Sequence, residues 1–114
     1  LKYPHGIHSG IAYSYMGMGC SYRSLGKYEK AYKYLQKSLD IREQLYKTRP
    51  HLDIALSHYH IGLLYEVKMA YMLSLGSFKK ALKVYINMNL YEHPHKRKVE
   101  DAIHRVNERL GQES

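Results

Sequence analysis

Residues 8–28 read His8-Ser9-Gly10-Ile11-Ala12-Tyr13-Ser14-Tyr15-Met16-Gly17-Met18-Gly19-Cys20-Ser21-Tyr22-Arg23-Ser24-Leu25-Gly26-Lys27-Tyr28. Apolar residues recur here at helical spacing, stop at Leu25-Gly26, and resume with Lys27-Tyr28-Glu29-Lys30-Ala31. The pattern then returns. His51-Leu52-Asp53-Ile54-Ala55 opens a second stretch, which runs through Gly62 and Tyr65 to Leu75-Gly76 and is followed by Ser77-Phe78-Lys79-Lys80-Ala81. His93-Pro94-His95 opens a third, which ends at Leu110-Gly111. Self-similarity at roughly forty residues marks a stack of helical units rather than a compact enzyme fold.

The spacing predicts an all-α chain of about five helices. The first covers 9–24, with Ser9 as N-cap and Leu25-Gly26 as its stop. The second covers 28–46 and carries Ala31, Leu35, Leu39 and Leu45 at i, i+3, i+4 spacing, with Pro50 beyond it. The third starts at Asp53 as N-cap; the fourth covers 78–90 and the fifth 95–110. Gly10, Gly17 and Gly19 each cost a helix about 1 kcal/mol relative to Ala. At Gly19 and its counterpart Gly62, close approach of a neighbouring helix is the expected return. Units one (9–47) and two (53–91) and the terminal helix (95–110) form a single domain over 1–114, because a lone helical pair cannot bury its apolar face.

Relative to the first unit, the second contains seven extra residues, about 67–73, between Tyr65 and Leu75-Gly76. Seven residues are close to two helical turns, so they are expected to lengthen the third helix without rotating its faces. A local break near residues 68–71 is the alternative.

Composition narrows the function classes. The apolar share of 45% is that of a globular protein. Thirteen Tyr stand beside one Phe and no Trp, so many rings are expected to pack while their hydroxyls stay wet. No stretch approaches the length of a membrane span. No signal peptide is visible and the chain begins at Leu1, which suggests a fragment or a processed product. The single Cys20 has no disulfide partner and fits a reducing, cytoplasmic setting. The formal net charge is +8, concentrated on the second helix and its flanks from Arg23 to Arg49.

These residues resemble the tetratricopeptide repeat (TPR). In the first unit Tyr15, Met18-Gly19, Tyr22, Gly26, Tyr28, Ala31, Leu35 and Ser38 fill the family's positions. In the second, His58, Ile61-Gly62, Tyr65, Gly76, Phe78, Ala81, Tyr85 and Met88 are assigned to them; the third shows only Ile103, Asn107 and Gly111. His8 and His51 lie 43 residues apart, a spacing similar to the lengthened repeats of the kinesin light chain type. The resemblance implies antiparallel helix pairs stacked as a short right-handed α-solenoid, acting as a protein-binding scaffold without catalysis or cofactor.

The resemblance also implies a concave groove that receives a peptide or partner helix. Its positions are Tyr13, Met16, Cys20 and Arg23 in unit one, Leu56, Tyr59, His60, Leu63 and Glu66 in unit two, and Lys98, Asp101 and Arg105 in the last helix. Tyr13, Met16, Tyr59, His60 and Leu63 are expected as apolar anchors, with Arg23, Lys98 and Arg105 steering acidic groups. The same side chains would otherwise serve only to pack one repeat on the next. Lysine and asparagine positions that clamp a carboxyl terminus in some TPR proteins hold Met16, Cys20 and His60, so that mode is not expected.

Other function classes make different demands on these residues. Lys30, Lys33 and Lys37 form one stripe, with Lys80 and Lys83 read as repeat equivalents of the first two. Such a ridge near tyrosines suits nucleic acid or an acidic protein, or else is a solvated helix face. A two-and-a-half-unit array also exposes an apolar end, which another copy or further repeats of a longer chain would cover. For metal, His58 and His60 are about 200° apart on a helix and cannot chelate together. Cys20 has no His beside it within its own unit, so nucleophilic chemistry is not expected.

Overall fold

The computed structural model describes residues 5–47 and 49–113, with side chains over 8–47 and 49–112. The described residues form five helices and no strand: α1 (His5–Ser24), α2 (Tyr28–Leu45), α3 (Leu52–Val67), α4 (Tyr71–Asn87) and α5 (Pro94–Glu113). Each helix packs on the next, and α1 also reaches α3. The molecule measures 49 × 35 × 19 Å. Its shortest dimension is about two helix diameters, as expected for stacked helical pairs.

α1, α3 and α4 end by one shared device. Gly26 adopts a positive φ of 76°, and the amide of Lys27 donates to Tyr22 O at 2.9 Å. Met69 (φ 62°) does the same, with Ala70 N donating to Tyr65 O at 2.9 Å, and so does Asn89 (φ 57°), with Leu90 N donating to Tyr85 O at 2.9 Å. This left-handed stop caps carbonyls that the last helical turn leaves open. Gly26 takes it without strain, whereas the Cβ of Met69 costs roughly 1–2 kcal/mol.

Met69 therefore corrects the expected layout of unit two. Residues 67–73 are not an extension of the third helix, which ends at Val67; the chain breaks at 68–70, the alternative above. Leu75-Gly76 is not a stop but lies inside α4, which already begins at Tyr71. The repeat offset of 43 residues holds without a gap, pairing Gly26 with Met69, Tyr28 with Tyr71, Ala31 with Ser74 and Leu35 with Phe78. Gly76, Phe78, Ala81, Tyr85 and Met88 therefore fall seven positions later in the repeat than the resemblance assigns them.

Helix starts also differ from expectation. α1 begins at His5, so Ser9 is an interior residue rather than an N-cap. Asp53 does not cap α3; His51 does, its Nδ1 accepting from Asp53 N at 3.0 Å. His93 repeats the arrangement at the start of α5, accepting from His95 N at 3.1 Å. His51 and His93 thus cap the helices that follow them, whereas His8 lies inside α1. α5 runs past Leu110-Gly111 to Glu113.

Two apolar clusters lie on either side of α3. Leu35, Leu39, Ile61 and Leu64 centre the first; Leu75, Phe78, Tyr85, Val99 and Val106 are the large members of the second, with Ala55 of α3 among them. A helix serving two cores must be apolar almost all round, as α3 is. α5 faces one core with Val99, Ala102 and Val106 and turns charged residues outward, which suits the end of a stack.

Both expected close approaches occur. A Cβ on Gly19 would lie 2.6 Å from Leu35 Cγ, and one on Gly62 would lie 2.6 Å from Phe78 Cε1. Each notch receives the large side chain 16 positions later, at the same offset in both units. The glycines therefore set how closely α1 meets α2 and α3 meets α4.

Candidate functional site

Side chains at the expected groove positions, together with Asp53 and His95, which were not among them, bridge α1, α3 and α5 into one layer. Between α1 and α3, Tyr13 OH donates to Asp53 Oδ1 at 3.1 Å, and Cys20 Sγ lies 3.5 Å from His60 Nδ1. Arg23 Nη1 stands 3.3 Å from the same imidazole nitrogen and donates to His60 O at 3.5 Å. Between α3 and α5, the Tyr59 and His95 rings meet edge to face at 4.7 Å. Arg105 forms a two-point ion pair with Glu66, Nη2 donating to Oε1 at 2.7 Å. This pairing raises the Arg105 pKa further, so it stays charged.

The layer divides into packed and open members. Met16 and Cys20 pack against the first core, and Tyr59 and Leu63 against the second. His60 is half-buried beside Arg23. Tyr13 is 49% exposed, Leu56 is half-buried, and Lys98 and Arg105 are exposed. The open part thus consists of Tyr13, Leu56, Lys98 and the Arg105–Glu66 pair. Asp101 is exposed alongside them.

Cys20 and His60 form a contact that reasoning within one unit misses, because the imidazole comes from the next unit. Burial pushes the Cys20 thiol up, although Arg23 opposes this. Burial, and then the Arg23 charge, lower His60 to about 4. At neutral pH the pair is a thiol beside a neutral imidazole, the opposite of the thiolate–imidazolium pair that activates a cysteine.

Arg42 is the main residue the sequence did not mark. It is 1% exposed, with Nη1 lying 2.9 Å from Ser57 Oγ, 3.1 Å from Asp53 O and 3.3 Å from Met16 Sδ. Its guanidinium also sits 4.6 Å from the centre of the Tyr13 ring. Burial lowers its pKa, while Asp53, Tyr13 and Tyr46 act the other way. The residue 43 positions on is Tyr85, also buried, whose hydroxyl pairs with His95 Nδ1. Each even-numbered helix before a seam thus plants one large polar-tipped side chain at the start of the next odd-numbered helix. An Arg42/Tyr85 alignment at the repeat offset was the available signal.

The lysine stripe is organised differently from expectation. Lys30 stands over Tyr22 at 5.5 Å, Lys33 over Tyr34 at 5.8 Å, and Lys37 over Tyr15 and Tyr34 at 5.4 and 5.6 Å. Tyr15 and Tyr22 both stack on Tyr34. These ring faces already hold aromatic or ammonium neighbours, which leaves less for a nucleobase to stack on. Lys80 and Lys83 are not repeat equivalents of Lys30 and Lys33; the offset pairs Lys80 with Lys37 and Lys83 with Asp40.

Among the described residues no group of three or more His, Cys, Asp or Glu is arranged to hold a metal ion. His58 and His60 lie on opposite sides of α3, His58 facing Lys80 and His60 facing Arg23. No described helix is long and apolar enough to cross a membrane. No curated protein matches the chain. Residues 12–45, from the buried Ala12 of α1 to the last residue of α2, match the family model described as tetratricopeptide repeat.

Proposed function

We propose that the chain is a protein-interaction scaffold whose odd-helix layer receives a peptide segment or partner helix and performs no chemistry. The observation that carries this is the bridging of α1, α3 and α5 by Tyr13–Asp53, Cys20–His60 and Arg105–Glu66. The bridges fix the relative positions of three helices, so an incoming segment meets a surface already ordered, which limits the entropy cost of binding. Leu56 and Tyr13 supply apolar contact and Lys98 an exposed charge with no ion pair among the described residues, the mix of a partner-binding patch. The match over the first helical pair supports the same role, since repeats of that family bind proteins. The unbroken offset of 43 residues supports a long repeat of the kinesin light chain type. A cytoplasmic location belongs to the same proposal.

Tyr59 and Leu63 pack on the second core, so truncating them disturbs the fold and is a poor test. The better variant is Leu56→Asn with Lys98→Glu. Peptides selected from a displayed random library on the immobilised protein should bind this variant at least about tenfold more weakly, equivalent to roughly 1.4 kcal/mol. The helical circular dichroism should be unchanged. Selected peptides that bind both forms equally would place the function elsewhere. Exposed Ile11 and Met18 on α1 favour end-to-end self-association as a second role; sedimentation that is independent of concentration would remove it.

A further inference from the structure

The segment around the α3–α4 turn carries four of the exposed large apolar side chains among the described residues. Met69 is 72% exposed, Met72 69%, Leu73 58% and Val67 50%. The residues 43 positions earlier are Gly26, Glu29, Lys30 and Ser24, none of them apolar apart from the glycine turn. The helical repeat therefore does not require this patch. Four exposed large apolar side chains clustered within seven residues mark an interaction surface more than they mark chance.

The patch opens into a groove. Met72 and Leu73 line both a cavity of about 310 Å³ beside Leu110 and one of about 380 Å³ between α2 and α4. The larger cavity has Tyr32 and Leu39 on its α2 wall and Ile61, Tyr65 and His58 of α3 on its floor. Taking 100° per residue, Ile61 and Tyr65 point away from Leu56 and Leu63, so the groove lies opposite the odd-helix layer. Gly76 is on its α4 wall, and a Cβ built there meets nothing within 4 Å.

Charge identifies the occupant. α4 contains Lys79, Lys80 and Lys83 and no carboxylate, and all three lysines are exposed. Lys80 lines the groove, and among the described residues none of the three is ion-paired. Lys68 adds another positive charge at the α3–α4 turn, while Glu43 stands on the opposite α2 wall. Along α4 the surface is thus apolar at Met72–Leu73 and cationic about two to three turns later. Met72 to Lys83 covers three helical turns, roughly 16 Å at 1.5 Å per residue.

We propose that the α2–α4 groove docks an acidic amphipathic helix of another protein, with apolar residues on Tyr32, Met72 and Leu73 and carboxylates toward Lys80 and Lys83. Methionine suits such a surface because its flexible thioether adapts to differing apolar partners. Gly76 lets the incoming backbone lie close to α4 at the point where the apolar and cationic halves meet. This surface is separate from the odd-helix layer, and neither proposal depends on the other.

The test uses fluorescence anisotropy with three synthetic probes. One is a peptide of about four helical turns, with Leu at i, i+3, i+4 and i+7 and Glu elsewhere; the second replaces each Glu by Lys; the third is a single-stranded RNA oligonucleotide. The key variant is Gly76→Gln, which fills the groove yet gains helix propensity, so loss of fold does not confound it. The acidic peptide should bind the native chain, lose at least about tenfold with Gly76→Gln, and lose a similar amount with Met72→Ser plus Leu73→Ser. The lysine peptide should bind at least about tenfold more weakly than the acidic one. Equal binding of the acidic peptide to native and Gly76→Gln chains overturns the proposal, since attraction would then follow net charge alone. So does a lysine peptide that binds as well, or RNA that competes for the groove with equal sensitivity to Gly76→Gln. Dimerisation abolished by Met72→Ser plus Leu73→Ser would make a second copy the occupant and overturn it likewise.

Discussion

Replacing Gly62 by Ala tests how the repeat is held together. In an exposed helix the change is favourable by about 1 kcal/mol, since Ala is the better helix former. Here the new Cβ meets Phe78 Cε1 at 2.6 Å, Cδ1 at 2.7 Å and Cζ at 3.0 Å. Ordinary carbon contact is about 3.5–4 Å, so the ring or the helix must retreat by nearly an ångström. Phe78 is fully buried, and Tyr59 lies against it at a ring separation of 5.8 Å. Overpacking of this kind costs roughly 1–3 kcal/mol, and a buried ring with no outlet belongs at the upper end. After the helix gain, Gly62→Ala should lose about 1–2 kcal/mol, or about 4–8 °C in Tm for a domain near this size. Urea and thermal denaturation followed by circular dichroism measure it. The internal control is Gly17→Ala, on α1 with nothing within 4 Å of the built Cβ, which should gain about 0.5–1 kcal/mol. Phe78→Ala should also cost less in the Gly62→Ala background than alone, a coupling of about 1 kcal/mol between touching residues. If Gly62→Ala proves as stabilising as Gly17→Ala, the notch does not set the helix spacing.

Gly76→Ala should stabilise by about 0.5–1 kcal/mol because α4 runs through it; a loss of similar size would restore Gly76 as a left-handed stop. Met69→Gly removes the strain at φ 62° but frees the unfolded chain, leaving a net gain of about 0.5–1 kcal/mol in urea midpoint analysis. Acid should weaken the fold through two histidines. Burial lowers His58 and His60 to about 4, below the unfolded value near 6.5, so their stabilisation is full above pH 6.5 and is lost as pH falls toward 4. Each is worth about 3 kcal/mol at most at 1.36 kcal/mol per unit, so the unfolding free energy from urea titration should drop by about 2–5 kcal/mol between pH 7.5 and 4.5. A flat profile, or one unchanged in His60→Gln, would contradict this assignment.

Much of the fold is legible from spacing alone. Apolar periodicity gives five helices, the recurrence of His8 and His51 gives the offset, and Gly19 and Gly62 stand where close helix contact needs them. The candidate groove is legible only as positions. Met16, Cys20, Tyr59 and Leu63 were named, but which of them would be absorbed by packing depends on the neighbouring helices. Arg42 gave no local sign at all, because its partners Asp53 and Ser57 belong to the following helix.

The sequence by itself determined that helices form and roughly how often they recur, since backbone propensity and apolar spacing act between residues a few positions apart. The tertiary structure alone decided where unit two turns. Leu75-Gly76 matches the local chemistry of the first stop, yet the chain turns at Met69 and accepts the strain of a left-handed methionine. Only that register puts Phe78 into the Gly62 notch and lets Ser74 Oγ donate to Gly62 O at 2.9 Å. Burying an aromatic side chain is worth about 1.5–3 kcal/mol and the buried hydrogen bond about 1 kcal/mol more. Together they outweigh the roughly 1–2 kcal/mol of backbone strain at Met69, so a contact between distant residues overrides the local signal.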